Sequence, residues 1–288
     1  MANMRAIRTR IKSVKNTQQI TKAMKMVAVS KLRKTQSGME AMRPFAEKSR
    51  EVLDTLLSCE HIPENRFIVP RKEVKKVLYV LFVGNRGLCG VYNNAVLHFA
   101  RDIIRSDERD CELVVCGRWG KDIIARSGLK VKETLSELSD TPNADEALMV
   151  ADFIKNMYLS GAADEVHLIY QHYVSALRQD PTIIQLLPAK SQTSRNAAER
   201  REFLFEPDEA SVLESVMQLC INNTVYSVML EARSGEHTAR MTAMTSATDS
   251  TKELIDKLGL SLNRARQAAI TTEISEIVGG ASALKKKK

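Results

Sequence analysis

The fold is decided by residues 208–284, whose sequence is DEASVLESVMQLCINNTVYSVMLEARSGEHTARMTAMTSATDSTKELIDKLGLSLNRARQAAITTEISEIVGGASAL. No proline interrupts this stretch, and its apolar residues recur at steps of three and four, which is typical of an amphipathic helix. Asp208 is a candidate N-cap, and Ser211 with Glu214 is an alternative capping box. A helix reaching residue 278 would be about 105 Å long. No globular core of this size encloses such a helix, so it needs a partner along much of its length.

The other end of the chain offers that partner. Residues 1–57 contain no proline before Pro44, and we expect one long helix with a bend near Arg43 and Pro44, because proline removes a backbone hydrogen bond. Residues 1–34 hold ten Lys or Arg and no Asp or Glu, whereas residues 208–284 hold six basic and ten acidic residues, 6 − 10 = −4. The opposite charges suggest an intramolecular pairing of the two helices. The carboxylates of the second helix are interpreted as a solvated face.

Between the helices, residues 74–188 alternate between two kinds of segment. Strand-like runs (VLYVLFV, ELVVCG, VHLIYQHYV, TIIQLLP) are separated by amphipathic ones such as NNAVLHFARDIIR. This alternation predicts a Rossmann-like α/β domain of mainly parallel strands, inserted between the halves of a coiled coil. Residues 189–207 are interpreted as a mobile surface loop, and residues 285–288 form a short lysine tail.

Composition excludes several classes of protein. The longest uninterrupted apolar run, Val77–Val83, is far too short for a membrane-spanning helix, and the N-terminus does not resemble a signal peptide. The five cysteines are odd in number and lack metal-binding spacing, so we expect them to be reduced. Cys111 and Cys116 fall in one predicted strand on opposite faces, which disfavours a bond between them.

A glycine loop, Gly84–Gly90, directly follows the first predicted strand and precedes a helix. Such a loop could bind phosphate or could be a tight structural turn at Gly84, Gly87 and Gly90; it matches neither common phosphate-binding motif. If the turn is strained, Gly87→Val should damage assembly. Cys89 is expected to be a small buried thiol rather than a nucleophile.

Other candidate sites give little support to an enzyme. His167 and His172 are five residues apart in a strand, which places them on opposite faces. We find no catalytic constellation, and we expect neither a cofactor nor a metal. Two alternative functions remain open at this stage. A coiled-coil nucleic-acid-binding protein would explain the basic N-terminal helix, and a nucleotide-dependent enzyme would explain the glycine loop.

Three segments, in this order along the chain, match a known family. They are Ile7–Ala28 (IRTRIKSVKNTQQITKAMKMVA), Arg86–Gly90 (RGLCG) and Ala265–Ala281 (ARQAAITTEISEIVGGA). Over residues 4–284 the chain resembles the γ subunits of F-type ATP synthases of the bacterial type.

This resemblance implies an antiparallel coiled coil of the two terminal helices, which turns inside a hexamer of three α and three β subunits. The α/β domain would lie beside the ε subunit and the c ring, so that the chain couples ion flow through the ring to ATP synthesis or hydrolysis in β. A subunit of a proton-translocating ATP synthase with no catalytic residues of its own is implied. It would lie on the cytoplasmic side of the inner or plasma membrane, in contact with the membrane only through the c ring.

The resemblance also implies subunit contacts at particular positions. The expected contacts with β are Met24, Lys25, Arg266, Gln267 and Thr271. The expected contacts at the foot, facing the c ring, are Arg43, Phe45, Phe205 and Glu206. Plastid members of the family carry a regulatory cysteine pair, whereas residues 189–206 contain no cysteine, so thiol switching is not expected.

Overall fold

The computed structural model describes residues 2–57, 65–119, 123–124, 127–175, 178–189 and 205–285. Along the chain the elements are α1 (Ala2–Leu57), β1 (Lys76–Phe82), α2 (Tyr92–Ser106), β2 (Asp110–Cys116), β3 (Val131–Leu135), α3 (Ala144–Leu159), β4 (Glu165–Tyr173), β5 (Gln179–Leu187) and α4 (Glu209–Lys285). The predicted loop at 189–207 lies for the most part outside the described residues. So do residues 286–288 of the predicted lysine tail.

The chain divides into two compact units. The terminal unit is formed by the chain up to Val27 together with the chain from Met241 onward, and the central unit runs from Ala28 to Arg240.

The central unit contains one five-stranded sheet in the order β3-β2-β1-β4-β5. The strands β1 to β4 pair in parallel, and β5 joins β4 as an antiparallel edge strand. The prediction of a mainly parallel, Rossmann-like domain between two long helices is confirmed.

Alternate residues of β1 serve two apolar cores, because successive side chains of a strand point to opposite faces. Leu78 and Val80 pack with α3 and with the α4 residues Met217 and Ile221. Tyr79 belongs to the second core, on the face covered by α2. The stretch of α4 that precedes Arg240 is therefore built into the core of the α/β domain.

The two long helices run antiparallel within the central unit. Ser234 of α4 donates to the sulfur of Met39 in α1 at 3.2 Å, and Asn223 donates to Ser49 at 2.9 Å, so positions rise along one helix as they fall along the other. In the terminal unit the hydroxyls of Thr21 and Thr248 share a hydrogen bond of 2.8 Å.

The helix ends and the proline follow the sequence predictions in part. Asp208 caps α4, since its carboxylate accepts from the backbone N–H of Ser211 at 2.9 Å and from the hydroxyl of Ser211 at 2.8 Å. Ser211 is thus a donor to the cap rather than the cap itself. Pro44 lies inside α1 without ending it; the bend there stays a prediction. Within the described residues, no helix is both long and apolar enough to cross a membrane.

The expected charge pairing of the two helices is wrong for the terminal unit. In the part of the chain that the structure describes, the seven basic side chains from Arg5 to Lys25 form no ion pair with α4. Farther along α1, Lys31 pairs instead with Asp140, in the segment between β3 and α3. The hydrogen bonds described above between the two helices join neutral groups, such as Thr21 with Thr248 and Asn223 with Ser49.

Candidate functional site

The glycine loop Gly84–Gly90 connects β1 to α2 at the carboxyl ends of the parallel strands. Ligands of open α/β folds bind at this edge of the sheet, where backbone amides and a helix N-terminus favour an anion. In this chain the segment Arg233–Arg240 of α4 crosses this edge of the sheet. It brings a carboxylate of the protein itself to the position where a ligand anion would bind.

Three charged side chains lie on one face of α4, separated by three and four residues. Glu236 accepts from Arg233 at 2.8 Å and from Arg240 at 2.6 Å. Glu236 is 1% exposed, Arg233 5% and Arg240 8%. The interpretation of the α4 carboxylates as a solvated face is therefore wrong for Glu236, which is among the most buried residues of the chain.

Both arginines donate to the glycine loop as well as to Glu236. Arg233 bonds the carbonyl of Val83 at 3.2 Å and the side chain of Asn85 at 3.1 Å. Arg240 bonds the carbonyl of Arg86 at 3.1 Å and that of Gly87 at 3.2 Å. The loop is thereby attached to α4 by charge-assisted hydrogen bonds, the stronger kind in proteins.

The first two backbone amides of the loop also have partners. Gly84 donates to the side chain of Asn93 at 2.8 Å, and Asn85 donates to Glu236 at 3.4 Å. Asn93 in turn donates to the carbonyl of Arg86 and to the sulfur of Cys89. The first two N–H groups of the loop are thus used by side chains of the same protein, which favours the interpretation as a structural turn. We call Arg233, Glu236 and Arg240, together with this loop, the α4 seat.

Two further segments meet at the seat. The side chain of Asn85 donates to the carbonyl of Leu138 at 2.8 Å and to Asp140 at 2.9 Å, and Asp140 pairs with Lys31 of α1. The ring Nε2 of His237 donates to the carbonyl of Asp140 at 2.7 Å. The seat therefore connects α1, α4 and the two loops that follow β1 and β3.

The electrostatics keep the seat ionised. Burial alone would raise the pKa of Glu236, but the neighbouring guanidinium groups of Arg233 and Arg240 outweigh it and hold that pKa below its usual value. Asp140 behaves in the same way, with the hydrogen bond from Lys31 as the main lowering cause. Burial lowers the pKa of His237, so its ring is neutral near pH 7 and donates through Nε2.

The three glycines predicted to form the turn differ in whether the structure requires glycine at their position. A Cβ on Gly84 would lie 2.8 Å from Cδ of Glu236, so the close approach of α4 needs glycine there. Gly90 has a φ of +59°, a conformation suited to glycine. Gly87 has neither constraint, since the nearest atom to its Cβ would be Nε1 of Trp119 at 4.0 Å. The expectation of strain at Gly87 is wrong; a positive φ of 61° occurs at Leu88 instead.

The other candidates for chemistry are satisfied locally. Cys89 is 2% exposed, and burial raises the pKa of its thiol, as expected for an inert buried cysteine. Cys89, Cys111, Cys116 and Cys220 are free thiols. His167 bonds Glu165 and His172 bonds Glu231. In the described ranges, no group of three or more potential ligands is placed to hold a metal ion.

None of the predicted subunit contacts is a residue of the seat. In the terminal unit, Met24 and Lys25 are half-buried on α1, whereas Arg266, Gln267 and Thr271 are exposed on α4. In the central unit, Arg43 is exposed and pairs with Glu47, and Phe45 is 50% exposed. Phe205 is half-buried and Glu206 exposed, immediately before α4 begins.

The end of α4 carries a surface that sequence reasoning missed. Its large apolar side chains are exposed on one helical face: Ile270 48%, Ile274 56%, Ile277 71% and Val278 58%. Their spacing of three and four residues is that of an amphipathic stripe, which a helix normally buries. We call these four residues the terminal stripe. The spacing of these residues is visible in the sequence, but periodicity alone does not show that such a face stays exposed.

Comparison with known proteins gives full-length matches. A family model described as ATP synthase matches residues 3–284. The chain is 45% identical over 284 residues to the ATP synthase gamma chain of Desulforamulus reducens, and 43% identical over 285 residues to that of Moorella thermoacetica, covering 99% of this chain and all of each relative. Its fold is similar to a chain of the rotor of the Euglena gracilis mitochondrial ATP synthase, with a TM-score of 0.68 and 18% identity over 93% of this chain and 99% of the other.

Proposed function

This chain belongs to the family of ATP synthase gamma chains, and we propose that it is the central rotor of an F-type ATP synthase. In this role the terminal parts of α1 and α4 turn inside a hexamer of three α and three β subunits. The α/β domain and the foot contact the ε subunit and the c ring. The chain then couples ion flow through the ring to ATP synthesis or hydrolysis in β.

The observation that carries this proposal, beside the family assignment, is the terminal stripe. An apolar helical face left open to water indicates a partner that surrounds this end of α4. The seven cations of α1 from Arg5 to Lys25, which form no ion pair within the described residues, add a basic surface in the same unit. A surrounding partner surface with apolar and acidic parts would complement both the terminal stripe and this basic surface. The nucleic-acid alternative explains only the cations and is not supported by any relative.

The mechanism requires no chemistry from this chain. A rotor that touches three β subunits unequally gives each catalytic site a different affinity at each angle, which is coupling by differential contact. Met24, Lys25, Arg266, Gln267 and Thr271 are the proposed contacts with β. Arg43, Phe45, Phe205 and Glu206 are the proposed contacts at the foot. The proposal includes protons as the coupled ion, a peripheral position on the cytoplasmic side of the membrane, and no catalytic residue in the chain itself.

The proposal is tested by co-expression with the α and β subunits of one of the bacterial relatives. We expect a purified complex with one copy of this chain per three α and three β, and ATP hydrolysis that depends on its presence. The double substitution Ile274→Ser with Ile277→Ser should prevent assembly, whereas the control Glu273→Ser on the same stretch of α4 should not. Normal assembly of the double variant would contradict the role given to the terminal stripe.

A further inference from the structure

We propose that Glu236 is an internal anionic ligand of the glycine loop, and that it acts as a positioning residue which fixes α4 at one rotational setting against the α/β sheet. The inference rests on the proposed rotor function, because it assigns the α4 seat as the contact through which torque passes between the domain and the helix. It assigns a function to the buried seat, whose residues are not among the proposed contacts with β and the c ring.

The apolar contacts of α4 do not by themselves define an angle. Met217, Ile221 and Val225 pack in a core whose forces are non-directional, so a small rotation exchanges one apolar contact for another. Hydrogen bonds from planar guanidinium groups are directional, and Arg233 and Arg240 each bridge from Glu236 to a backbone carbonyl of the loop. Other directional bonds join the domain to α4, such as the one from the hydroxyl of Tyr92 to the carbonyl of Ala232. The seat adds to them a buried, charge-assisted set that resists rotation.

The seat is built as an anion site, not as an incidental surface pair. The carboxylate of Glu236 is enclosed by two guanidinium groups and faces the backbone N–H of Asn85, at the edge of the sheet where other α/β folds hold phosphate. Gly84 leaves the space that the carboxylate fills. The site is therefore suited to a carboxylate, here supplied by the helix itself.

Net stability does not account for such a cluster. Replacing a buried ion cluster by well-packed apolar residues is often neutral or stabilising, whereas removing one partner leaves an uncompensated charge. A fixed register is the property that the directional contacts add. For a shaft under torque, that property is the one that matters.

The ligand part is tested with Glu236→Ala in the full-length chain, because this change removes a CH2–COO⁻ group that acetate reproduces. We expect the thermal midpoint of Glu236→Ala to lie below that of the parent chain and to rise with added acetate, but not with acetamide, which has the same shape and no charge. The control Glu231→Ala removes a carboxylate of the same helix that bonds the partly exposed His172 and should show no acetate-specific rise. Equal effects of acetate and acetamide on Glu236→Ala would overturn the assignment of an anion site.

The positioning part is tested in the assembled, membrane-bound complex with Glu236→Gln, which keeps the shape of the side chain and removes its charge. We expect a loss of proton pumping per ATP hydrolysed, and recovery of this ratio in Glu236→Asp relative to Glu236→Gln. An unchanged ratio in Glu236→Gln would overturn the positioning role, and so would a complex that fails to assemble with Glu236→Gln but pumps normally with Glu236→Ala. If the parent chain itself does not assemble or pump, the rotor function fails, while the acetate result still decides the anion site.

Discussion

We expect the same substitution, glycine to alanine, to have opposite effects on stability at Gly84 and at Gly87, two positions of the same loop. A Cβ on Gly84 would lie 2.8 Å from Cδ of Glu236 and 3.0 Å from Oδ1 of Asn93, both of which are buried and hydrogen-bonded. A Cβ on Gly87 would meet only Trp119, at 4.0 Å. Neither glycine has a positive φ, so alanine is compatible with the backbone at both positions.

The expected changes in unfolding free energy follow from two contributions, the freedom of the unfolded chain and overpacking in the folded one. Gly→Ala reduces the freedom of the unfolded chain and by itself stabilises by about 0.4–1 kcal/mol. At Gly84 this gain is opposed by overpacking against the seat, which typically costs about 1–3 kcal/mol. The gain from the unfolded state is common to both variants, so it cancels when their unfolding free energies are compared. The remaining difference is the cost of overpacking, and we expect Gly84→Ala to be less stable than Gly87→Ala by about 1–3 kcal/mol.

The assay is urea unfolding of the full-length chain. Trp119, the single tryptophan, reports on the loop, because its backbone N–H donates to the carbonyl of Gly84 at 2.9 Å. The midpoint for Gly84→Ala should fall below that of the parent chain, and the midpoint for Gly87→Ala should equal or exceed it. Equal midpoints for the two variants, or a lower one for Gly87→Ala, would refute the close approach of Glu236 to this loop.

Three other predictions concern the proposed contacts, a helix cap and pH. Arg266→Ala and Thr271→Ala should lower ATP-driven pumping of the assembled complex while the circular dichroism and unfolding midpoint of the isolated chain stay as in the parent; unfolding of the chain would count against a contact role. Asp208→Ala should lower the unfolding free energy by about 1 kcal/mol, because it removes the cap of α4, whereas Asp208→Asn should recover most of the loss. The lowered pKa values of Glu236 and Asp140 predict that these carboxylates stabilise the folded chain above roughly pH 4.3, the usual range of free carboxyls. This contribution is lost as the pH falls further. Urea midpoints that do not change between pH 6 and pH 3 would argue against ionised carboxylates in the seat.

The sequence predicted those parts of the fold that depend on local periodicity. The apolar period of α4, the absence of proline from it and the cap at Asp208 are properties of neighbouring residues, and each was read correctly. The alternation of strands and helices likewise predicted the sheet, since β1 is apolar on both faces and parallel strands are covered on both sides.

The α4 seat could not be predicted in this way, because its partners are far apart in sequence. Arg233 and Glu236 are close together on α4, yet their loop partner Asn85 is 148 residues from Arg233. The pattern Arg233, Glu236, Arg240 could have marked one charged helical face, but a charged face is usually solvated. The same holds for Gly235 of α4, where a Cβ would lie 3.0 Å from the ring of Tyr92, so that glycine permits α2 to approach α4.

The apolar face of the terminal unit is the opposite case: its pattern is local and visible in the sequence, but its exposure is not. Periodicity identifies Ile270, Ile274 and Ile277 as one apolar face, and on a single chain such a face is predicted to be buried. The structure leaves it exposed, and the proposed rotor function assigns its cover to another chain. The resemblance of the C-terminal segment to a family, rather than any physical pattern, is what pointed to that partner.

Rotation of the chain inside its complex is the most direct test of the rotor function. The complex of α, β and this chain would be immobilised through α or β, with a probe attached through Glu108→Cys, an exposed position in the loop between α2 and β2. We predict that the probe turns in one direction when ATP is added and stops when ATP is removed. A probe that keeps a fixed angle while the same complex hydrolyses ATP would contradict the account.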